Sequence, residues 1–167
     1  MGMMACYMEV DQDLIENLKT KSDEDLFEEI ETLGEQNITM YDMDKLWDGL
    51  HFVLTGVSAT TPIENNLLSE AIVGTAMFSA DDMSDFITYI YPERVGEILS
   101  ALNDFDIKEA LSDFSPRKLA RNGIYPTIWV EEEKDDLKNL LIEEFNGLKE
   151  FFLDVKNNHK GIIVSIY

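Results

Sequence analysis

Apolar residues alternate with other residues near the start of the chain, in "MACYMEV" (residues 4–10), which is typical of a half-buried strand. "GIIVSIY" (161–167) is rich in β-branched residues and apolar enough for a central strand. We expect both strands to belong to one sheet, and we predict another strand in "SDFITYIY" (84–91). "IYPTIWV" (124–130) is either a short strand or an extended link, because Pro126 lacks a backbone donor.

Helical spacing of apolar residues dominates between these strands. Ser22, followed by Asp25, forms an imperfect capping box for a helix over 23–33, and Pro92 opens another helix. Further helices are predicted over 11–18, 64–74 with Gly74 as its end, 106–114, 116–122 between Ser115 and Gly123, and 131–157, the longest. The pattern predicts an α+β fold in one domain over 1–167: a small mixed sheet with both terminal strands, packed by several helices including a long C-terminal one.

A helix is also predicted to start at Asp42 as its N-cap and to end at Gly56 as its C-cap. Its wheel separates two faces. The apolar face, which we assign to the core, carries Leu46, Trp47, Leu50, Val53 and Leu54. The polar stripe, within about 60° on the wheel, carries Asp44, Asp48, His51 and Thr55.

The polar stripe is the main candidate for chemistry. Asp48 lies three residues before His51, so it can orient the imidazole or hold it protonated, and a histidine with a carboxylate is a common unit of acid–base catalysis. A catalytic site would also need a nucleophile, a metal or a cleft facing the stripe. The alternative interpretation is structural: a surface pair, or a half-buried histidine that fixes a neighbouring loop.

Other candidates for ligand contact are more scattered. Arg117, with Lys118 and Arg121, forms a basic cluster on one short helix, which suits either an anion or an internal ion pair. Trp47 and Tyr125 could line a pocket with Trp129 and other aromatic residues, although such residues also build cores. The sequence has two histidines and no zinc-ligand spacing, so we expect no metal and no cofactor. It also lacks nucleotide-binding, hydrolase-elbow and metalloprotease motifs.

Charge narrows the classes of partner. The 167 residues include 34 acidic and 13 basic ones, a formal net charge of −21. Such a field repels nucleic acids and anionic membranes and attracts basic proteins. The alternative interpretation is that the acidic residues only keep the protein soluble. The single cysteine, Cys6, cannot form an internal disulfide, and no segment has signal-peptide or bilayer-spanning character, so we expect a cytoplasmic protein.

Several segments resemble the YfbM-like family, known as domain of unknown function 1877. They are the opening "MGM", "WDGLHFVLTG" (47–56), "LSEAIVG" (68–74), "FS" (114–115) and "IYP" (124–126). Their order and spread indicate one domain along nearly the whole chain. The resemblance implies an α+β fold and a bacterial cytoplasmic setting, but no activity and no catalytic residues.

Two hypotheses for function follow. The first is a non-enzymatic binding protein that engages a basic protein partner, in the manner of acidic immunity proteins. The second is a small-ligand binder or hydrolase-like enzyme that uses the acid–base pair His51 and Asp48 in a pocket beside the central helix. Acidic side chains gathered on one face would favour the first, whereas His51 and Asp48 facing a deep pocket would favour the second.

Overall fold

An antiparallel sheet forms the middle layer of the protein. The computed structural model describes residues 2–80 and 86–167, and within these ranges the sheet has five strands in the order β2-β1-β5-β4-β3. The strands are β1 (Ala5–Val10), β2 (Met40–Asp44), β3 (Ala76–Met77), β4 (Phe86–Ile90) and β5 (Gly161–Ile166).

The two terminal strands pair with each other at the centre of the sheet, which confirms the expectation that they share one sheet. Ala5 of β1 lies opposite Ile166 of β5, and Val10 lies opposite Gly161. The other side of β5 pairs with β4. Every pairing between described strands is antiparallel, so the sheet is antiparallel and not mixed as the sequence suggested.

Helices cover both faces of this sheet. In the described part of the chain they are α1 (Gln12–Leu18), α2 (Asp23–Glu35), α3 (Trp47–Thr55), α4 (Leu67–Val73), α5 (Pro92–Asp104), α6 (Ile107–Ala110), α7 (Pro116–Arg121) and α8 (Lys134–Asn157). None of these described helices is both long and apolar enough to cross a bilayer. The predicted α+β class, including the long C-terminal helix, is confirmed.

Alternate side chains of β1 enter two separate cores. Ala5 and Tyr7 face the larger core, which is built with α3 to α8, whereas Cys6, Met8 and Val10 face a smaller core built with α1 and α2. This period of two follows from the pleat of a strand. The sheet is therefore buried on both faces, by a thick helical layer on one side and by two short helices on the other.

Most predicted boundaries agree with the structure. The Ser22 side chain accepts a hydrogen bond from the backbone N–H of Asp25 at the start of α2, and Pro92 is the first residue of α5. Helix α6 is shorter than the predicted 106–114, and 124–130 is a link without regular structure. Ser84 and Asp85 of the predicted strand 84–91, like Met1 of the opening motif, lie outside the described residues.

The expected N-cap at Asp42 is wrong. Asp42 lies inside β2, opposite Cys6 of β1. The strand ends at Asp44, which has a φ of 54°, and α3 begins only at Trp47. Pairing with β1 buries Met43 completely and packs Tyr41 against the larger core, which outweighs the local preference of aspartate for a helix cap. Asp44 therefore does not belong to the polar stripe, which lies on α3. The C-cap at Gly56 is confirmed: its φ is 83° and its N–H bonds to the Phe52 carbonyl.

Candidate functional site

Helix α3 lies inside the molecule, and its polar side chains are buried as well as its apolar ones. The predicted core face is confirmed, since Leu46, Trp47, Leu50 and Leu54 are buried and Val53 packs against the same core. Asp48 and His51 are 1% and 0% exposed. Because buried polar groups need hydrogen-bond partners, the contacts of these two side chains show what they do in the folded protein.

Asp48 binds two loops to α3. One carboxylate oxygen accepts from the hydroxyl of Ser58 at 2.9 Å and from the backbone N–H of Ala59 at 2.7 Å. The other accepts from the backbone N–H of Tyr125 at 2.8 Å. Hydrogen bonds of this kind, to an ionised acceptor, are among the stronger ones in proteins. Asp48 is thus engaged with backbone and hydroxyl donors of the loops after α3 and after α7.

His51 binds a different set of groups. Its Nδ1 lies 2.8 Å from the Val57 carbonyl oxygen and 3.2 Å from the Thr55 hydroxyl, and its Nε2 lies 2.7 Å from the Ser69 hydroxyl. A carbonyl can only accept, so Nδ1 carries the hydrogen and Nε2 accepts from Ser69. Ser69 in turn accepts from the backbone N–H of Ile63 at 3.1 Å. His51 therefore joins α3 to the start of α4.

The protonation of His51 agrees with this arrangement. Burial lowers the pKa of the imidazole below its ordinary value of 6.5, which outweighs the opposing effects of the Val57 carbonyl and the Asp48 charge. A neutral ring with one donor and one acceptor nitrogen fits the observed partners. Asp48 influences His51 only by its charge, because the hydrogen bonds of each side chain within the described residues go to other groups.

The remaining sequence candidates fall into two places. Trp47 and Tyr125 stack on each other with ring centroids 5.5 Å apart, and the Trp47 indole donates to the Met3 carbonyl. Thr55 donates to the carbonyl of His51 one turn earlier, at 2.8 Å. Arg117 is exposed on α7, apart from these contacts. The structure brings Trp47, Asp48, His51, Thr55 and Tyr125 together around α3, and Arg117 stays outside.

A cavity of about 270 Å³ lies next to this junction, and we call it the α4 cavity. It is lined mainly by the loop before α4, one side of α4 and strands β3 and β4, with Ser69 and Glu70 in its wall. Among the described lining residues, Ser69 is the link to His51. Its volume is slightly below the range usual for ligand pockets, about 300 to 1,000 Å³.

An ion pair in the wall of the α4 cavity was missed by sequence reasoning. Glu70 is 5% exposed. Its carboxylate accepts two hydrogen bonds from the Arg94 guanidinium, one from Nε at 2.7 Å and one from a terminal nitrogen at 3.1 Å. This bidentate geometry is the preferred one for arginine and a carboxylate. The residues are 24 positions apart, so no local signal in the sequence links them. The buried carboxylate of this cavity is thus already neutralised within the chain.

A second cavity lies on the other face of the sheet, between α2 and the ends of β1 and β5. This α2 groove has a volume of about 390 Å³ and is lined by Cys6, Met8, Phe27, Ile30, Glu31, Gly34, Glu35, Ser165 and Tyr167. Most of these lining residues are apolar, and the polar ones include the two carboxylates Glu31 and Glu35. The helical spacing of Phe27, Ile30, Glu31 and Gly34 could have indicated one face of α2, but their relation to Ser165 required the fold.

The thiol in the α2 groove is not a reactive one. Burial raises the pKa of Cys6 to about 12, and a hydrogen bond to Asp42 and the charge of that carboxylate add to the effect. The thiolate is the nucleophilic form of cysteine, so this side chain is inert near neutral pH. Within the described residues, no group of three or more histidine, cysteine or acidic side chains is arranged to hold a metal ion.

Comparison with known proteins places the chain in a family. The sequence model of the protein family described as "Domain of unknown function (DUF1877)" matches residues 1–165. The chain belongs to the DUF1877 family. It is 32% identical over 134 residues to Protein YfbM of Escherichia coli (strain K12), a match that covers 80% of this chain and 78% of that protein. The crystal structure of YfbM from Escherichia coli, a protein of unknown function, matches with a TM-score of 0.81 at 25% identity, over 98% of this chain and 99% of that chain.

The segments that carry the DUF1877 resemblance meet around α3. The opening segment contacts Trp47 through the Met3 carbonyl, "LSEAIVG" contacts His51 through Ser69, and "IYP" contacts Asp48 through Tyr125. Phe114 packs edge-on against Trp129, whose ring leaves no room for a side chain at Gly49. The family resemblance therefore coincides with one buried junction of the fold.

Proposed function

We propose that this DUF1877 protein is a cytoplasmic binding protein that engages a basic protein partner through the face formed by α1, α2 and the α2 groove. The observation that carries the proposal is the groove itself, a mainly apolar cavity against α2, which has seven acidic residues and no basic one. A lone, buried cysteine is compatible with a reducing compartment.

The charge on this face supports a cationic partner. Residues 11–36 include ten acidic and two basic residues, and the sequence of α2 alone has seven acidic residues and no basic one. A field of one sign steers an oppositely charged protein toward the surface and accelerates association, with an effect that salt weakens. The same field opposes nucleic acids and anionic membranes, whose phosphates are negative.

The apolar part of the face supports contact at short range. Phe27 is 37% exposed at the groove, and Tyr167 is 60% exposed beside it. Aromatic side chains in a partly open cavity are typical anchors of protein interfaces, because their large area excludes water from the neighbouring polar contacts. Charge alone would give an unspecific association, whereas this combination favours a defined partner.

Photo-crosslinking from two matched positions tests the proposal. p-Benzoylphenylalanine is placed at Phe27 in one variant and at Leu153 in another, an apolar residue of α8 that is 46% exposed. Each variant is irradiated in bacterial extract at low and at high salt, and the captured proteins are identified by mass spectrometry. We expect a protein rich in lysine and arginine from position 27 at low salt only. Capture of the same proteins from both positions, of acidic proteins, or of nothing overturns the proposal.

A second candidate function is hydrolysis or small-ligand binding in the α4 cavity, and it rests on the hydrogen bond between His51 and Ser69. A neutral histidine that accepts from a serine hydroxyl is the arrangement needed to activate that hydroxyl. The complete burial of Ser69 opposes it, since a substrate must reach the oxygen. A fluorophosphonate probe tests the hydrolytic function: a label on Ser69 that is lost in His51→Gln supports it, and no label on the folded protein rejects hydrolysis through Ser69.

A further inference from the structure

The α2 groove contains a hydroxyl that has no hydrogen-bond partner among the described residues. Ser165 is 6% exposed and lines the groove, beside Cys6 on the neighbouring strand. None of the hydrogen bonds among the described residues involves its hydroxyl, whereas the hydroxyls of Ser69 and Thr88, which are similarly buried, are bonded to His51 and to the Val73 carbonyl. The Ser165 hydroxyl faces the groove and is therefore available to a polar group of a ligand there.

The carboxylates of the groove also have no cation of their own. Glu31 and Glu35 line the groove, and both side chains are exposed to solvent. None of the ion pairs formed by described residues includes any of these acids. In the α4 cavity, by contrast, Glu70 is neutralised by Arg94. The buried carboxylate of the α4 cavity thus binds a guanidinium, whereas the exposed carboxylates of the α2 groove have no cationic partner among the described residues.

Gly34 keeps the groove open from the side of α2. No described atom lies within 4 Å of the position that a Cβ would take at Gly34. Glycine inside a helix costs about 1 kcal/mol relative to alanine. Close packing does not require this glycine, because there is space for a larger residue. The space beside Gly34 is therefore available to a side chain of a partner.

We propose that the α2 groove receives one arginine side chain of the basic partner. The aliphatic stem lies along Met8, Phe27 and Ile30, and the guanidinium reaches the carboxylates of Glu31 and Glu35. The inference rests on the function proposed above and names the group that the partner inserts.

Arginine suits the groove better than lysine for two physical reasons. Its planar guanidinium is more weakly hydrated than an ammonium, and it stacks on aromatic rings such as that of Phe27. It also presents several donors in a fixed fork, enough for two carboxylates and a hydroxyl such as that of Ser165. A lysine would place a compact, strongly hydrated charge in a mainly apolar space.

Nuclear magnetic resonance titration of the isotope-labelled protein with defined peptides tests the inference. The probe is a capped peptide of glycine and serine with one central arginine, and the comparison peptides carry citrulline, lysine or norleucine at that position. We expect the arginine peptide to shift the amide signals of Gly34, Glu35 and Ser165 and to bind at least tenfold more tightly than the citrulline peptide. Equal binding of arginine and citrulline, or shifts confined to other surfaces, overturns the inference.

Substitutions in the α2 groove test whether the arginine peptide binds there. Gly34→Leu fills the cavity, Glu31→Gln with Glu35→Gln removes its charge, and Ser165→Ala removes its free hydroxyl. We expect a loss of at least tenfold in affinity for the first two and a smaller loss for the third. Glu143→Gln with Glu150→Gln removes the same charge from exposed positions of α8 and should leave affinity for the peptide nearly unchanged.

The two proposals fail in different ways. If position 27 captures a basic protein but the arginine peptide leaves the groove signals unmoved, the arginine inference is wrong and the proposed function stands. If the peptide binds in the groove and Gly34→Leu abolishes binding, but no basic protein is captured, the proposed function is wrong and the groove is an arginine site for another purpose.

Discussion

One oxygen of the Asp48 carboxylate accepts the backbone N–H of Tyr125 at 2.8 Å, across 77 positions of the chain. The other oxygen holds the loop that follows α3, through Ser58 and Ala59. A single buried side chain thus fixes two loops against the central helix. This contact explains why an aspartate stands inside the molecule without implying that it takes part in catalysis.

Replacing Asp48 by asparagine should lower the free energy of unfolding by about 2 to 4 kcal/mol. The amide nitrogen of asparagine would face donors that need an acceptor, and a buried N–H would lose its partner. Urea denaturation measures the change. Asp154→Asn, at an exposed position of α8, should stay within about 0.5 kcal/mol of the parent protein. Similar values for both variants would show that the Asp48 contacts do not stabilise the fold.

The protonation of His51 should make stability depend on pH. Burial lowers the pKa of His51 in the folded protein, while the unfolded chain regains a pKa near 6.5. Below that pH the unfolded chain binds a proton that the folded protein excludes, so the contribution of neutral His51 is complete above about pH 6.5 and is lost as the pH falls toward the folded pKa.

The difference in unfolding free energy between the parent protein and His51→Gln isolates this effect, because both chains share the same acidic background. We expect the difference to shrink as the pH is lowered from about 8 to 5. A pH-independent difference for His51→Gln would contradict the assignment of a lowered pKa.

Two helical glycines should respond oppositely to alanine. Gly34→Ala should stabilise the protein by about 0.5 to 1 kcal/mol, since alanine favours a helix and the new methyl group meets empty space. Gly147→Ala has the same helical advantage, but its Cβ would lie 2.7 Å from the Tyr41 hydroxyl oxygen and 2.8 Å from the ring. We expect a loss of about 1 to 3 kcal/mol there. Thermal unfolding of both variants tests the packing around α2 and α8 together.

Two hydroxyl side chains of the sheet should differ in how much stability the protein loses when each is removed. The Thr88 hydroxyl donates to the Val73 carbonyl at 2.7 Å, so Thr88→Val should lower stability by about 1 to 2 kcal/mol. Ser165→Ala removes a hydroxyl without a partner among the described residues and should be neutral or stabilising. Chemical denaturation of both variants measures this. A cost for Ser165→Ala as large as that for Thr88→Val would show that Ser165 is bonded within the protein.

The sequence predicts the parts of the fold that depend on local patterns. Alternation marks β1, β-branched residues mark β5, Ser22 marks the start of α2, and periodic apolar residues mark α8. Strand β2 was missed because Asp42 and Asp44 are common at helix starts. The signal for it in the sequence was the alternation of Tyr41 and Met43 with the polar residues Asp42 and Asp44.

The candidate site was predictable only in part. The wheel placed Asp48, His51 and Thr55 on one side of α3, which is correct, but no local rule shows that this side also faces the interior. The partner of His51 is Ser69, 18 residues away, and the partner of Asp48 is Tyr125, so the role of each group depends on tertiary contacts. The α2 groove depends in the same way on strands from opposite ends of the sequence.

The pairing of β1 with β5 governs the order in which the protein can fold. Ala5 pairs with Ile166, which closes a loop of nearly the whole chain, at an entropic cost of about 4 to 5 kcal/mol. During synthesis β1 can meet β2 early, but its other edge stays without a neighbour until residues 161–166 leave the ribosome. An open strand edge of this kind attracts other chains. The nascent protein is therefore expected to depend on protection by chaperones until its central strand is in place.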